Sequence, residues 1–428
     1  LDTDYTAATI YEQFPDKTTI SIFFQPHRGA TYFIENWTSA GPPFFFGWYE
    51  FVDRLTLFRF HIVSEVARER GSFPVLTIAY LLAADFRAYR YGVSSAQYRD
   101  ALKHADYQIG RILGDLKRAG LLDKLHIVFV SDHGLGDVEK HFDIEKFLRK
   151  QVGLRVAPGR LWENVQFRPR LRHYRKYNCV LYGSGDRYWS LCLRRPVRDD
   201  GGKAVGFAPW PVRPTADDLK GYPAEAGPVN LLRVLASQEA VDAVAYAAGE
   251  NRVRVLRKSG EVEFHQPDGP GGPISYRVLS GDEGSPNAER RVGSLDPLGW
   301  RGDVPADALA GEPMSPREWL TATCETQFPD LPAQITAYFR ARRAGDVVLF
   351  AAPGWDFGNR NRAGHGGIRP LDMHVPLLIA GPSVPRGWLK AVRTADVMPS
   401  LLQLLGKDPP AGLDGESFLP EPAQTQPK

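Results

Sequence analysis

The sequence predicts an α/β protein whose mostly parallel sheet, with helices on both faces, is interrupted by a β-containing cap insertion. Two observations predict the core and a third predicts the interruption. Between residues 18 and 151 short β-branched runs alternate with helical periodicity, the pattern of βαβ units. The same rhythm returns at about residue 301. Between them, from about 155 to 300, the turn-rich stretches APGRLW, DDGGK, APWPVRP and PDGPGGP separate short strand-like runs, VRVL, EVEF and ISYRVL.

Taken in order, TTISIFF (18–24), VLTIAY (75–80) and LHIVFV (125–130) are apolar runs short enough for strands buried on both faces. A helix is expected over 94–120, where Leu102, Ala105, Ile109, Leu113 and Leu116 recur at three- and four-residue steps and Gly120 offers a stop. Beyond the cap, a helix near 333–343, strands at DVVLFA (346–351) and VPLLIAG (375–381), and a helix at 394–406 complete the core. The expected division is 1–154 for the first part of the core, 155–300 for the cap, 301–420 for the second part and 421–428 for a flexible tail. No internal repeat is visible.

A chain of 428 residues has room for a large enzyme core with an insertion. With 53 Lys+Arg against 50 Asp+Glu, the net charge of +3 is too small to suggest a nucleic-acid polymer or an anionic membrane as partner. Cys179, Cys192 and Cys324 are too few and too scattered for a disulfide framework, and none forms a C-x-x-C pair. No stretch reaches the ~20 apolar residues that span a bilayer.

Three segments carry residues suited to metal chemistry. In HIVFVSDHGLGD a buried strand ends on Asp132 and His133, a hard oxygen and an imidazole nitrogen, at the strand end that faces the ligand crevice in open α/β sheets. A helix-capping Asp beside an exposed His is the plain alternative. In NRAGHGGIRPLDMH, Gly364 and Gly366 flank His365 and permit a backbone path that aims one imidazole inward; a glycine-rich surface turn is the alternative, and His374 reads as structural. In IAYLLAADFRAYRYG, Asp85 follows a strand as a metal carboxylate or as an N-cap. Each lies just beyond a predicted strand, and their conjunction is more telling than any one.

These segments resemble the alkaline phosphatase superfamily, and within it the type I phosphodiesterase/nucleotide pyrophosphatase-like branch. FFQPHRGATYFI, the segment from Asp85 to Gly92, VSDHG (130–134), LDPLGW (295–300), GWDF…GHGG (354–367), VPLLIAGPSVPRG (375–387) and TADVMPSLLQLLG with GLDG (394–415) carry the resemblance. It implies two divalent metal ions, zinc-like, that clamp a phosphoryl group while a Thr or Ser attacks in line. Asp132 and His133 would serve one ion, Asp85 and His365 the other. The implied activity is hydrolysis of small-molecule phosphoric esters, phosphodiesterase- or pyrophosphatase-like.

Two departures accompany the resemblance. Tyr89 stands where the second metal site calls for His, and a neutral phenol with a pKa near ~10 is a poor replacement for imidazole. The first strand with its metal Asp, and the helix with its nucleophile, are expected upstream of Leu1. Asp2, Asp4, Thr6 and Thr9 do not align with either. A non-catalytic binding or scaffold protein is therefore one alternative, and a phosphomutase is another. Arg28, in HRGA, is a candidate for contacting a substrate anion, although an ion-pair role is commoner. The G-S-G of RKYNCVLYGSGDRYW lacks the strand-to-helix nucleophile elbow and carries no hydrolase signature.

Overall fold

The computed structural model describes residues 7–24, 26–34, 37–157, 174–279, 296–358 and 360–420. The expected tail at 421–428 and parts of the expected cap at 158–173 and 280–295 lie outside them. The chain forms two compact units, Leu1–Asp132 with Pro376–Lys428, and His133–Val375. The second is wider at both ends than the cap expected over 155–300.

In the first unit the strands Thr19–Ile22, Tyr32–Ile34 and Leu76–Ala79 form a parallel sheet with the Thr19 strand in the middle. That strand is buried at all four positions, the hydroxyl side chains of Thr19 and Ser21 as well as Ile20 and Ile22. The predicted long helix spans Ala96–Arg118; Ser95 caps it by accepting the Tyr98 N–H at 3.1 Å, and Gly120 ends it at φ +68°. A second long helix, Tyr49–Glu69, fixes the short helix Ala83–Tyr91 at two points. Its Asp53 carboxylate accepts the N–H groups of Leu82 and Ala83, at 2.8 and 3.2 Å, satisfying donors that no helical carbonyl can reach. Its Glu50 holds Arg87 through two 2.6 Å bonds. The strand Ile127–Val130 pairs antiparallel with Leu377–Ala380.

The second unit is built on a seven-stranded antiparallel sheet. Its spatial order is Ser275–Leu279, Gly260–His265, Arg252–Arg257, Val241–Gly249, Val347–Ala351, Tyr188–Leu193 and Cys179–Ser184. Alternate residues serve opposite faces. Val244, Tyr246, Val347 and Leu349 join one apolar cluster with the helix Leu231–Ala236, whereas Ala243, Ala245, Val348 and Phe350 join another with Trp300, Trp319 and the helix Leu331–Arg340. Both faces are therefore covered.

The helices and sheets establish the α/β class, but parallel pairing covers a smaller share than expected. Two runs assigned to a parallel core behave otherwise: 346–351 pairs antiparallel inside the large sheet, and 375–381 pairs antiparallel with the Ile127 strand. The reason is physical. A short apolar run buried on both faces has the same sequence appearance whichever neighbour supplies its hydrogen bonds.

Candidate metal centre

Within the second unit, three segments distant in sequence meet around two imidazoles. The segment after His133 and the segment before His365 are joined by a short antiparallel ladder, Ala363 opposite Asp137 and Gly364 opposite Gly136. The third segment is the tip of the hairpin formed by the Cys179 and Tyr188 strands. There the His365 N–H donates to the Gly185 carbonyl at 2.8 Å, and the Arg187 N–H donates to the His365 carbonyl at 3.1 Å.

These backbone constraints leave the rings of His133 and His365 stacked, with centroids 3.4 Å apart and planes within 4°. Gly185, at φ +71°, explains why the opposite side of His365 is closed: a Cβ there would sit 2.5–2.6 Å from three ring atoms. His365 is thus held between a glycine backbone and the other imidazole. Nδ1 of His133 lies 3.1 Å from the Gly134 carbonyl oxygen, which can only accept. Nδ1 is therefore the donor in that contact, which orients the ring.

A buried ion pair supports this arrangement. Arg187 and Asp372, each 1% exposed at the side chain, approach to 3.3 Å between Nε and Oδ1. Burial pushes the Asp372 carboxyl upward, while Arg187, the Gly367 N–H and His133 offset part of the rise. Glycine makes the space: a Cβ on Gly136 would meet the Arg187 guanidinium at 2.2 Å, and one on Gly367 would meet Asp372 at 2.5 Å. Gly134, whose N–H donates to the Asp372 carbonyl at 2.9 Å, has no room for a Cβ beside Leu371.

The other expected ligands belong to the first unit. Asp85 lies in the first turn of the Ala83 helix, and Asp132 closes the segment after the Ile127 strand. Burial pushes the Tyr80 hydroxyl up to about 12, and the carboxylates of Asp132, Asp85 and Asp53 push in the same direction. These acids therefore act on one phenol. Tyr89 is one helical turn beyond Asp85, with its ring 6.3 Å from that of Phe86 in an edge-on contact. Arg28 pairs with Glu12 through bonds of 3.0 and 3.1 Å, the ion-pair role weighed against substrate contact. His374 bonds the Cys324 carbonyl at 2.8 Å, in keeping with a structural role.

Sequence reasoning set aside the segment that holds His365. NCVLYGSGDRYWSLCL has two alternating strand-like runs around Gly-Ser-Gly-Asp, which is a hairpin signal. Testing it only as a hydrolase elbow missed Gly185, Asp186 and Arg187. A second pair also went unnoticed: His141 Nδ1 lies 2.7 Å from the fully buried Asp356.

Two facing imidazoles are nitrogen donors of the kind that a borderline cation such as zinc takes. The four expected donors, two carboxylates and two imidazoles, are also of the types zinc takes.

Residues 8–183 match the family described as Type I phosphodiesterase / nucleotide pyrophosphatase, a span that includes Asp85, Tyr89, Asp132 and His133 but not His365. Among solved structures, human ectonucleotide pyrophosphatase / phosphodiesterase 5 is similar at 13% identity and a TM-score of 0.46, over 94% of this chain and 70% of that one. An inactive variant of the murine protein, solved in complex with AMP, gives 13% identity and a TM-score of 0.43, over 93% and 69% of the two chains. Alkaline phosphatase PafA gives 14% identity and a TM-score of 0.45, over 86% and 52%. Among the described residues no helix is long and apolar enough to cross a membrane.

Proposed function

We propose that this chain, whose residues 8–183 match the type I phosphodiesterase / nucleotide pyrophosphatase family, serves metal-dependent hydrolysis of small phosphoric esters. The observation that carries the reading is the meeting of His133 and His365, from the SDHG and GHGG segments, with rings 3.4 Å apart. His133 and His365 would hold divalent metal, zinc by the chemistry of the donors, and the resemblance assigns Asp85 and Asp132 to the same role. Bound metal would supply Lewis-acid stabilisation of charge developing on the phosphoryl oxygens.

The chain's own contribution is positioning. Gly185 and the Gly134 carbonyl fix the two rings before substrate arrives, so little reorganisation is required during reaction. The resemblance assigns attack to a Thr or Ser hydroxyl. The natural protein, as its source produces it, is the material for the decisive assay. It should hydrolyse a phosphodiester such as bis(p-nitrophenyl) phosphate, lose that activity to a chelator and regain it with zinc. Activity that survives exhaustive chelation would sink the reading.

Tyr89 favours a second reading, a non-catalytic protein that keeps a metal centre for binding. Zinc binding without turnover by the natural protein, with every phosphoric ester tested, would select it.

A further inference from the structure

The far edge of the large sheet carries a second concentration of charge. The Ser275 strand is outermost there, and a cavity of about 400 Å³ runs along it, lined by Arg252, His265, Ser275, Arg277 and Arg301 with Glu263 among them. Glu263 is 3% exposed at the side chain and accepts three guanidinium groups. Arg252 and Arg277 approach Oε1 at 3.0 and 2.9 Å, and Arg254 approaches Oε2 at 2.9 Å. One carboxylate therefore faces three cations on adjacent strands, and even with Glu261, which accepts from the Tyr246 hydroxyl that Arg254 also meets, the arginines outnumber the acids of the network. Asp296, the other acid on the cavity wall, accepts the backbone N–H groups of Trp300 and Arg301, both at 2.9 Å.

Ion pairing alone does not account for this surplus, because like charges on neighbouring strands repel and a sheet surface gains most from matched pairs. We propose that this cavity is a binding site for a phosphate-type dianion, held by Arg252, Arg277 and Arg301. Each guanidinium has five N–H donors, and Arg252 and Arg277 stay 40% and 64% exposed at the side chain while bonding Glu263. Donors and charge are thus presented to the cavity in the planar geometry that suits phosphate oxygens. Burial and the charges of Arg252 and Arg277 hold His265 below its usual range, Glu263 pulling the other way, so it adds a neutral hydrogen-bonding edge. The cavity is separate from His133 and His365. The Tyr188 strand, beside the hairpin tip that holds His365, lies five strand spacings from the Ser275 strand, roughly 24 Å at ~4.8 Å each.

The test is calorimetric titration of the full chain with inorganic phosphate at fixed ionic strength, with a chelator present so that the metal centre does not contribute. Saturable binding with a dissociation constant below ~1 mM is expected. Arg277→Ala should weaken it at least tenfold, Arg277→Lys should weaken it less, and His365→Ala should leave it unchanged. Because Arg277 is exposed, an unaltered melting temperature of Arg277→Ala separates lost binding from lost fold; if that variant melts lower, the lysine variant decides. Absence of saturable binding overturns the proposal. So does binding that persists in both Arg277 variants, or that disappears in His365→Ala.

Discussion

Arg369 donates two hydrogen bonds to Asp242, from Nε to Oδ2 at 2.6 Å and from its second guanidinium nitrogen to Oδ1 at 2.9 Å. Asp242 lies on the Val241 strand and also accepts from Arg257 at 2.7 Å. The segment that carries His365 is thereby clamped to the centre of the large sheet, four residues beyond the imidazole.

Replacing Asp242 with Asn should remove about 3 kcal/mol of stability, since two nearly buried guanidiniums lose their counter-charge. Urea unfolding at neutral pH measures this. The pH dependence has a defined sign. Burial alone would raise the Asp242 carboxyl, but Arg369 and Arg257 hold it below its ordinary value. The stabilisation is therefore present above the unfolded pKa of 3.8 and is lost as pH falls through the lower folded value. The parent and the Asn variant should converge in acid. An equal difference at pH 7 and pH 3 would contradict this.

Asp346 works in the opposite direction. Burial pushes its carboxyl up to about 6, although the Leu193 N–H at 2.7 Å and Arg213 pull it down. Its folded value lies above the unfolded 3.8, so its contribution is greatest below 3.8 and fades as pH rises through about 6. Asp346→Asn keeps an acceptor for Leu193 without the charge. The variant should gain on the parent by up to about 3 kcal/mol between pH 4 and pH 7. Parallel stability curves for the two proteins would count against the assignment.

Gly185→Ala tests the cradle of His365. The new methyl needs a backbone at φ +71° and space already taken by the imidazole. Zinc affinity, read by calorimetry on the chelated and dialysed chain, should fall at least tenfold, in line with losses of supporting contacts at metal sites. Unchanged affinity in a folded Gly185→Ala chain would show that the contact does not position His365.

His133→Ala and His365→Ala should each abolish most zinc binding, whereas His374→Ala should leave it intact because that ring bonds the Cys324 carbonyl. Metal content after equilibrium dialysis reads all three. Equal losses in the three variants would point to general unfolding.

Much of the first unit was legible because its signals are local. Ser95, the periodic apolar face and Gly120 define the Ala96 helix without reference to anything distant. The segments that meet at the histidines carry local marks too: Gly364 and Gly366 flank His365, and His133 follows the end of an apolar strand. What joins them was not legible. Neither the partner of the Val347 strand nor the approach of Gly185 to His365 leaves a mark on nearby residues, because both are set by long-range packing. The buried Arg187 was hidden likewise, since an arginine at a hairpin tip ordinarily faces water.

The Val347 strand lies between the Val241 and Tyr188 strands and pairs with both. Until it is made, the two ends of the large sheet have no strand pairing to each other. During synthesis, the hairpin of residues 179–193 and the four strands of 241–279 must therefore wait as separate pieces with open edges while the ribosome advances to residue 351. Such edges are sticky, and late closure through distant contacts slows folding. A nascent chain halted before residue 347 should consequently need chaperone cover, whereas one released after the His365 segment can close the sheet and seat the imidazoles in the same event.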